Sequence, residues 1–204
     1  MAALVNLVPA LEKAKYVFSQ KDAEAMAFKA GVAYNADNNE FLVPFLGQDY
    51  RVVFPDGEVY YSDSDNDVII EVKILVLHYL YGASGVPLQN RWISFKELPD
   101  GFIYIGPFTN RAIRPLVGIF GNIPEKMLAA GEKLGGERLK MGDASISIPV
   151  FPRVPITFIL WLGDDEFPAN GNILFDASAP RYLDTEDYAL LPSLVIGAMK
   201  RLAF

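Results

Sequence analysis

Three short apolar segments lie close together between residues 144 and 176 and constrain the fold more than any other feature. They read ASISIPV, ITFILWL and NILFD, and residues that favour turns separate them. Segments of this length, rich in β-branched and aromatic residues, are typical of strands. We therefore predict three strands here, with the last two joined as a long hairpin.

Two further groups of strands and helices precede these segments. The spacing of apolar residues predicts N-terminal helices that end at Gly31. From Glu40 the composition changes, and the turn signals GQD and PDG predict a three-stranded meander. Pro44 lacks a backbone N–H, so we expect the first of these strands to lie at a sheet edge. The segments WISF and FIYIG predict two more strands.

Several helices complete the prediction. A nearly continuous apolar stretch predicts a mostly buried central helix near 68–81. Others are expected over 110–120, after a cap at Asn122, and from Asp184 or Thr185 onward. The fold class is therefore α+β, with antiparallel sheet or sheets and helices packed on one face. We predict a single domain over 1–204, with a helical part at 1–39 and an α+β core at 40–204.

Composition excludes several function classes. The chain has no cysteine and one histidine, which excludes cysteine-ligated metal or iron–sulfur sites, a thiolate nucleophile and the paired-histidine zinc motif. Its net charge is -7 and no basic patch is present, so we expect no nucleic-acid partner. No apolar run is long enough to span a bilayer, and the start MAALVNLVPALEKAK lacks a positive leader region, so a cytoplasmic protein is expected. Phosphate-binding glycine motifs and the nucleophile elbow are absent, so no catalytic residues or metal ligands are assigned and the cofactor is unknown.

The stretch GDDEFPANG between the last two strands is longer than an ordinary hairpin loop. Three consecutive carboxylates repel one another unless water or a cation surrounds them. Three interpretations stay open: a solvated loop held by Phe167 and Pro168, a site for a cation or polar ligand, and a loop that docks a partner. Within this loop Asp165 and Glu166 are the candidate ligand-binding residues.

Four residues outside the loop complete the candidate set. Arg153 lies among three prolines, where it could pair with a carboxylate inside the protein or with a ligand. His78 lies near the end of the central helix and is either a core-edge histidine, a proton donor or an axial metal ligand, although no second ligand is found in the sequence. Trp161 ends a strand and is explained by packing. Asp176 ends another strand, a common position at pockets, whereas capping of the last helix explains Asp184 to Asp187.

Most of the chain from Lys73 to Leu191 resembles a family catalogued as a domain of unknown function, found mainly in anaerobic bacteria and archaea. The resemblance rests on KILVLHYLYGASGVPL, WISFKELPDGFIY, GDASISIPVFPRVPITFILWLGDDEFPANGNILFDAS and YLDTEDYALL. Some relatives look fused to an iron–sulfur module of the type seen in corrinoid proteins, which implies anaerobic redox or one-carbon metabolism and an iron–sulfur or corrinoid partner. This chain has no cysteine, so any cluster would sit on that partner. The resemblance marks eight motif positions without giving them roles: His78, Arg153, Trp161, Asp165, Glu166, Phe167, Pro168 and Asp176.

Three functional hypotheses follow. The first is a non-catalytic accessory or small-molecule-binding protein, since no catalytic set is found. The second is a carboxylate-based enzyme, with or without a divalent cation, which requires Arg153, Asp165, Glu166 and Asp176 to converge. The third is a structural or interaction module that forms homo-oligomers through an edge strand or the last helix.

Overall fold

The computed structural model describes residues 6–64 and 66–204, and within them the chain divides into two compact units. The first unit ends at Val86 and the second runs from Pro87 to Phe204. Each unit is described by itself below. The prediction that residues 1–204 form one domain stays a prediction. The leader-region argument falls partly on residues 1–5, which lie outside the described residues.

The first unit combines a four-stranded antiparallel sheet with three helices. The sheet has the order β1-β2-β3-β4. Asp22 caps α2 by accepting a hydrogen bond from the backbone N–H of Ala25 at 2.8 Å, and Gly31 ends that helix in the left-handed conformation at φ 70°. The elements are α1 (Val8–Ser19), α2 (Ala23–Ala30), β1 (Ala33–Asn35), β2 (Glu40–Phe45), β3 (Gln48–Val53), β4 (Glu58–Tyr61) and α3 (Ile70–Gly82).

The predicted buried central helix is confirmed as α3. Seven of its residues are buried, on all sides of the helix. The predicted meander gains a strand, since β1 pairs with β2. The strand that contains Pro44, β2, therefore lies between β1 and β3, and the prediction that it is an edge strand was wrong. β1 reaches only to Leu42, so the missing N–H of Pro44 falls beyond it, where no partner strand needs it.

The second unit is built on a five-stranded antiparallel sheet with the order β5-β9-β8-β7-β6. The three strands predicted between residues 144 and 176 are confirmed as β7, β8 and β9. Its elements are β5 (Trp92–Ser94), α4 (Gly101–Phe108), α5 (Arg114–Phe120), α6 (Pro124–Lys133), β6 (Glu137–Arg138), β7 (Ala144–Phe151), β8 (Val154–Trp161), β9 (Asn170–Asp176) and α7 (Thr185–Ala203). A π-helical turn at Thr109–Ile113 joins α4 to α5.

Helices cover one face of this sheet, as predicted for the α+β class. Ile146, Phe158 and Ile173 are neighbours across β7, β8 and β9 and are fully buried. A Cβ atom added at Gly131 of α6 would lie 2.6 Å from Ile146 Cδ1, so α6 lies directly on this face. A side chain at this position would displace the terminal methyl of Ile146. Burial of these aliphatic and aromatic groups stabilises the unit by about 1.5–3 kcal/mol per side chain.

Two local predictions in the second unit were wrong. FIYIG forms the helix α4 and not a strand, because a short apolar run has no periodicity that separates the two. Asn122 does not cap α6: Ile123 occupies the cap position without a side-chain bond, and the helix begins at Pro124, whose fixed φ suits a first turn. No helix in the described part of the chain has both the length and the apolar character needed to cross a membrane.

Candidate functional site

His78 belongs to the first unit, and the other five predicted site residues belong to the second. His78 is half-buried on α3, and its ring contacts the Tyr81 ring edge-on, with the two ring centroids 5.5 Å apart. This contact is consistent with the core-edge interpretation. Whether His78 also binds a ligand stays a prediction.

Asp176 is buried at the end of β9 and holds the neighbouring chain segments in place. Its Oδ1 atom accepts hydrogen bonds from the backbone N–H groups of Gln89 and Ser178, both at 2.9 Å, and from the Ser178 hydroxyl at 2.6 Å. Burial raises the pKa of Asp176, but the bonds donated by Ser178, Gln89 and Asn90 outweigh it, so that the pKa lies below its ordinary value. This carboxylate is therefore a charged structural anchor.

Arg153 and Asp176 both lie close enough to one buried tyrosine, Tyr182, to change its pKa. Burial raises the pKa of the Tyr182 phenol; the charge and hydrogen bond of Arg153 oppose this rise, and the charge of Asp176 adds to it. Arg153 lies in the turn between β7 and β8, and Tyr182 follows a short 3-10 helix at Ala179–Arg181. The structural pairing of Arg153 thus involves a phenol, a partner that the sequence prediction did not consider.

The acidic loop is an ordered, exposed turn. Asp164 Oδ1 accepts the backbone N–H groups of Phe167 at 2.7 Å and Glu166 at 2.9 Å, and these bonds lower the pKa of Asp164. Asp143 fixes the entry to the loop by accepting the Leu162 N–H at 2.7 Å. All three loop carboxylates are exposed. This geometry matches the interpretation of a solvated loop.

The loop and the Arg153–Asp176 cluster lie at opposite ends of β8. Arg153 precedes the strand and Trp161 ends it, so the strand separates them by roughly 25 Å. The convergence that the carboxylate-enzyme hypothesis requires is therefore not found. Among residues 6–64 and 66–204, no group of three or more histidine or acidic side chains is arranged to hold a metal ion.

A pocket of about 530 Å³ lies elsewhere in the second unit, between α4, the π turn and the start of α7. A hydrogen bond fixes its rim, because the Thr185 hydroxyl donates to the Pro99 carbonyl at 2.6 Å. Phe108 and Leu190 contribute apolar surface. The lining residues are Pro99, Asp100, Tyr104, Pro107, Phe108, Arg111, Asp184, Thr185, Glu186, Ala189 and Leu190.

Among the described residues, no capping bond or ion pair engages the charged side chains of the pocket. Asp100 and Asp184 occupy the cap positions of α4 and α7, yet neither side chain makes a capping bond. Asp184 occupies the N-cap position of α7, as predicted, but its side chain makes no capping bond; in the first turn Asp187 N donates to Asp184 O at 3.1 Å. Within the described residues, Arg111 forms no ion pair. The lining carries three carboxylates and one guanidinium, an excess of two negative charges.

The sequence does not predict this pocket, although it predicts secondary structure in both of the segments that form it. FIYIG was assigned to a strand and DTEDY to a cap. Two signals were available: an uninterrupted apolar run next to Pro99-Asp100-Gly101, and more acidic residues at the start of α7 than one cap requires. Neither signal brings together segments that are more than seventy residues apart in the chain.

The fold and this pocket define an α+β protein whose second unit carries a concave, partly apolar site of negative charge. The chain belongs to the family described as "Domain of unknown function (DUF3786)", which matches residues 22–198. This confirms the resemblance at the level of the family. No curated protein and no solved structure matches the chain.

Proposed function

We propose that the second unit binds a small amphipathic molecule in the pocket between α4 and α7, and that the protein is a non-catalytic accessory protein. The pocket volume of about 530 Å³ is the observation that carries this proposal. Sites for small molecules commonly enclose about 300–1,000 Å³ and combine apolar walls with a few polar groups. The lining of this pocket has that composition.

The charges of the lining favour a ligand with a positive group. Three carboxylates outnumber the Arg111 guanidinium, and none of the three is engaged in capping or an ion pair within the described part of the chain. A site of net negative potential attracts cations and repels anions. Tyr104 and Pro107 offer flat apolar surface for the body of such a ligand. A ring-bearing amine is the simplest molecule with both properties.

The setting in anaerobic redox or one-carbon metabolism belongs to this proposal and rests on the family resemblance alone. The same holds for an iron–sulfur or corrinoid protein as the partner. Cobalamin, haem and flavin should therefore be included in any ligand screen, because a response to one of them would assign the pathway. The carboxylate enzyme is not proposed, since its residues lie at opposite ends of β8.

The test is a thermal-shift screen of the full chain with ring-bearing amines, and with carboxylates of the same ring systems as the charge-reversed series. A ligand at 100 times its Kd stabilises the native state by about 2.7 kcal/mol, which raises Tm by roughly 5–10 °C for a chain of this size. We expect the amines to raise Tm and the carboxylates to have little effect.

Two variants of α7 locate the response. Ala189→Phe places a ring in the pocket and should abolish the shift. Ala203→Phe adds the same ring at the other end of the helix, where its side chain is also half-buried, and should leave the shift intact. A screen in which no compound raises Tm, or in which both variants respond as the native chain does, would refute the proposal.

A further inference from the structure

The helix α4 exposes an unusual amount of apolar surface. Phe102 is 73% exposed, Ile103 71% and Tyr104 55%, and only Gly101 and Phe108 of this helix are buried. Together the three exposed side chains present roughly 300–400 Å² to solvent. Phe102 and Ile103 are neighbours around the helix, whereas Tyr104 lies about 200° from Phe102, on the side of the pocket that it lines. Large apolar side chains that are exposed next to one another commonly mark interaction sites. We call Phe102, Ile103 and Tyr104 the α4 surface.

Negative charge borders the α4 surface. Asp100 immediately precedes the helix, and Asp184 and Glu186 line the same pocket as Tyr104, where Arg111 offsets one of the three negative charges. All three carboxylates are exposed. The whole chain carries a net charge of -7. These charges repel anionic lipid headgroups and a second copy of this acidic chain, and they attract a basic partner.

We propose that the α4 surface docks a basic, amphipathic segment of another protein. Its apolar side packs on Phe102 and Ile103, and its lysine or arginine side chains reach past Tyr104 to Asp100, Asp184 and Glu186. An amphipathic helix is the chemistry that suits an exposed apolar helix with an acidic border. This inference goes beyond the small-molecule proposal, because Phe102 and Ile103 do not line the pocket.

The exposed area sets the expected affinity. A standard interface buries about 800 Å² per partner, and the α4 surface supplies less than half of that. The complex is therefore weak and transient, with a Kd on the order of micromolar to tens of micromolar. Since the acidic border contributes, binding should weaken as salt rises from about 0.05 M to about 0.5 M.

The experiment measures fluorescence anisotropy of a labelled helical peptide with leucine on one face and lysine on the other, titrated with the full chain. A peptide of the same pattern with glutamate in place of lysine is the charge control. We expect micromolar binding of the lysine peptide only. Exposed anchors of this kind dominate affinity, so the double variant Phe102→Ser, Ile103→Ser should weaken binding about tenfold or more.

A matched variant tests whether any exposed ring suffices. Phe28 on α2 is 81% exposed and has an exposed carboxylate, Glu24, one turn before it, but it lies on another helix and in the first unit. If docking is specific to α4, Phe28→Ser should bind the peptide as the native chain does. The pair Asp184→Asn, Glu186→Gln should weaken binding at low salt and have less effect at high salt. The double variant Phe102→Ser, Ile103→Ser should keep the thermal response to ring-bearing amines, because neither residue lines the pocket, which separates this inference from the pocket proposal.

Four results would overturn the inference. Two concern the peptides: no binding of the lysine peptide at several hundred micromolar, or equal binding of the glutamate peptide. The other two would show that something else occupies the α4 surface. The first occupant is a membrane, shown by binding to phosphatidylserine vesicles that the Phe102→Ser, Ile103→Ser variant loses. The second is another copy of the chain, shown by a dimer in sedimentation that the same variant disrupts.

Discussion

Removal of the Asp176 carboxylate is the most informative perturbation of the second unit. Its Oδ1 atom accepts three hydrogen bonds, from Gln89 N, Ser178 N and Ser178 Oγ, at 2.6–2.9 Å. The residue is 2% exposed, so water cannot replace these bonds. The bonds attach the segment before β5 and the turn after β9 to the same carboxylate. We therefore expect Asp176 variants to loosen both segments.

The magnitudes follow from what each substitution leaves behind. Asp176→Asn keeps an acceptor but loses the charge, and hydrogen bonds to an ionised acceptor are about twice as strong as neutral ones. Spread over three bonds, this costs about 2–3 kcal/mol of unfolding free energy. Asp176→Ala leaves the donors without an acceptor and should cost about 3–5 kcal/mol. A domain with about 5–15 kcal/mol of stability survives the first change and is marginal after the second.

The stability that Asp176 contributes should depend on pH, and the direction of its pKa shift gives the sign of that dependence. The folded pKa of Asp176 lies below its ordinary value of about 3.9, so the unfolded chain binds the proton more tightly. The stabilising contribution of the carboxylate is therefore complete above about pH 5 and is lost as pH falls through the folded pKa. The difference in unfolding free energy between the native chain and Asp176→Asn should be constant above about pH 5 and should shrink below it.

Urea unfolding followed by tryptophan fluorescence is the assay. Trp92 and Trp161 are the two tryptophans of the chain, and both belong to the second unit, so their emission reports on that unit. Asp165→Asn is the matched control, because Asp165 is an exposed aspartate and its loss should change stability by less than about 0.5 kcal/mol. If Asp176→Asn matches the native chain near pH 7, or if its deficit does not vary with pH, the anchoring role is wrong.

Two further predictions concern α4 and the acidic loop. A Cβ at Gly101 would lie 1.9 Å from the Phe95 carbonyl oxygen, so Gly101→Ala should lower the unfolding free energy measured in urea by at least about 2 kcal/mol. A Cβ at Gly106 meets nothing within 4 Å, so Gly106→Ala should stabilise α4 by about 0.5–1 kcal/mol. Equal effects of the two substitutions would contradict the packing described. In the loop, Asp164→Ala should speed hydrogen exchange at the two amides that its carboxylate accepts, and Asp165→Ala should not. An NMR titration should place the pKa of Asp164 below the ordinary aspartate value of about 3.9, since two backbone bonds stabilise its charged form; an Asp164 pKa at or above that value would show that the turn does not persist in solution.

The sheet of the second unit could be predicted from its sequence because the strands carry their own signals. In β8, Ile156, Phe158 and Leu160 alternate onto the helix-covered face, and Thr157 and Ile159 between them are buried as well. Such a strand is apolar throughout and short, and polar turns bound it. The last helix was equally clear, since acidic residues open it and Lys200 and Arg201 close it. Local composition decides both elements.

Local composition does not decide α4. An apolar run of five residues fits a strand and a helix equally well, and here the chain before the run resolves the choice. Ser94 and Glu97 form a reciprocal capping box that opens a 3-10 turn. Asp100 then takes φ 56°, a conformation that aspartate tolerates better than most residues, and leads into the helix. The outcome depends on side-chain bonds that no periodicity reveals.

The pocket and the α4 surface follow from the same irregular helical stretch. Pro107 lies inside α4 and has no N–H for the carbonyl one turn earlier, and the π turn at Thr109–Ile113 follows directly. A π turn shifts the direction of every side chain beyond it, and such turns occur frequently at functional sites. Arg111 lies within this turn and lines the pocket opposite the uncapped start of α7. The three adjacent carboxylates at Asp164 to Glu166 lie in a solvated turn, whereas Asp100, Asp184 and Glu186 line the pocket. We therefore expect the proposed ligand and the proposed peptide partner to bind at this junction of helices.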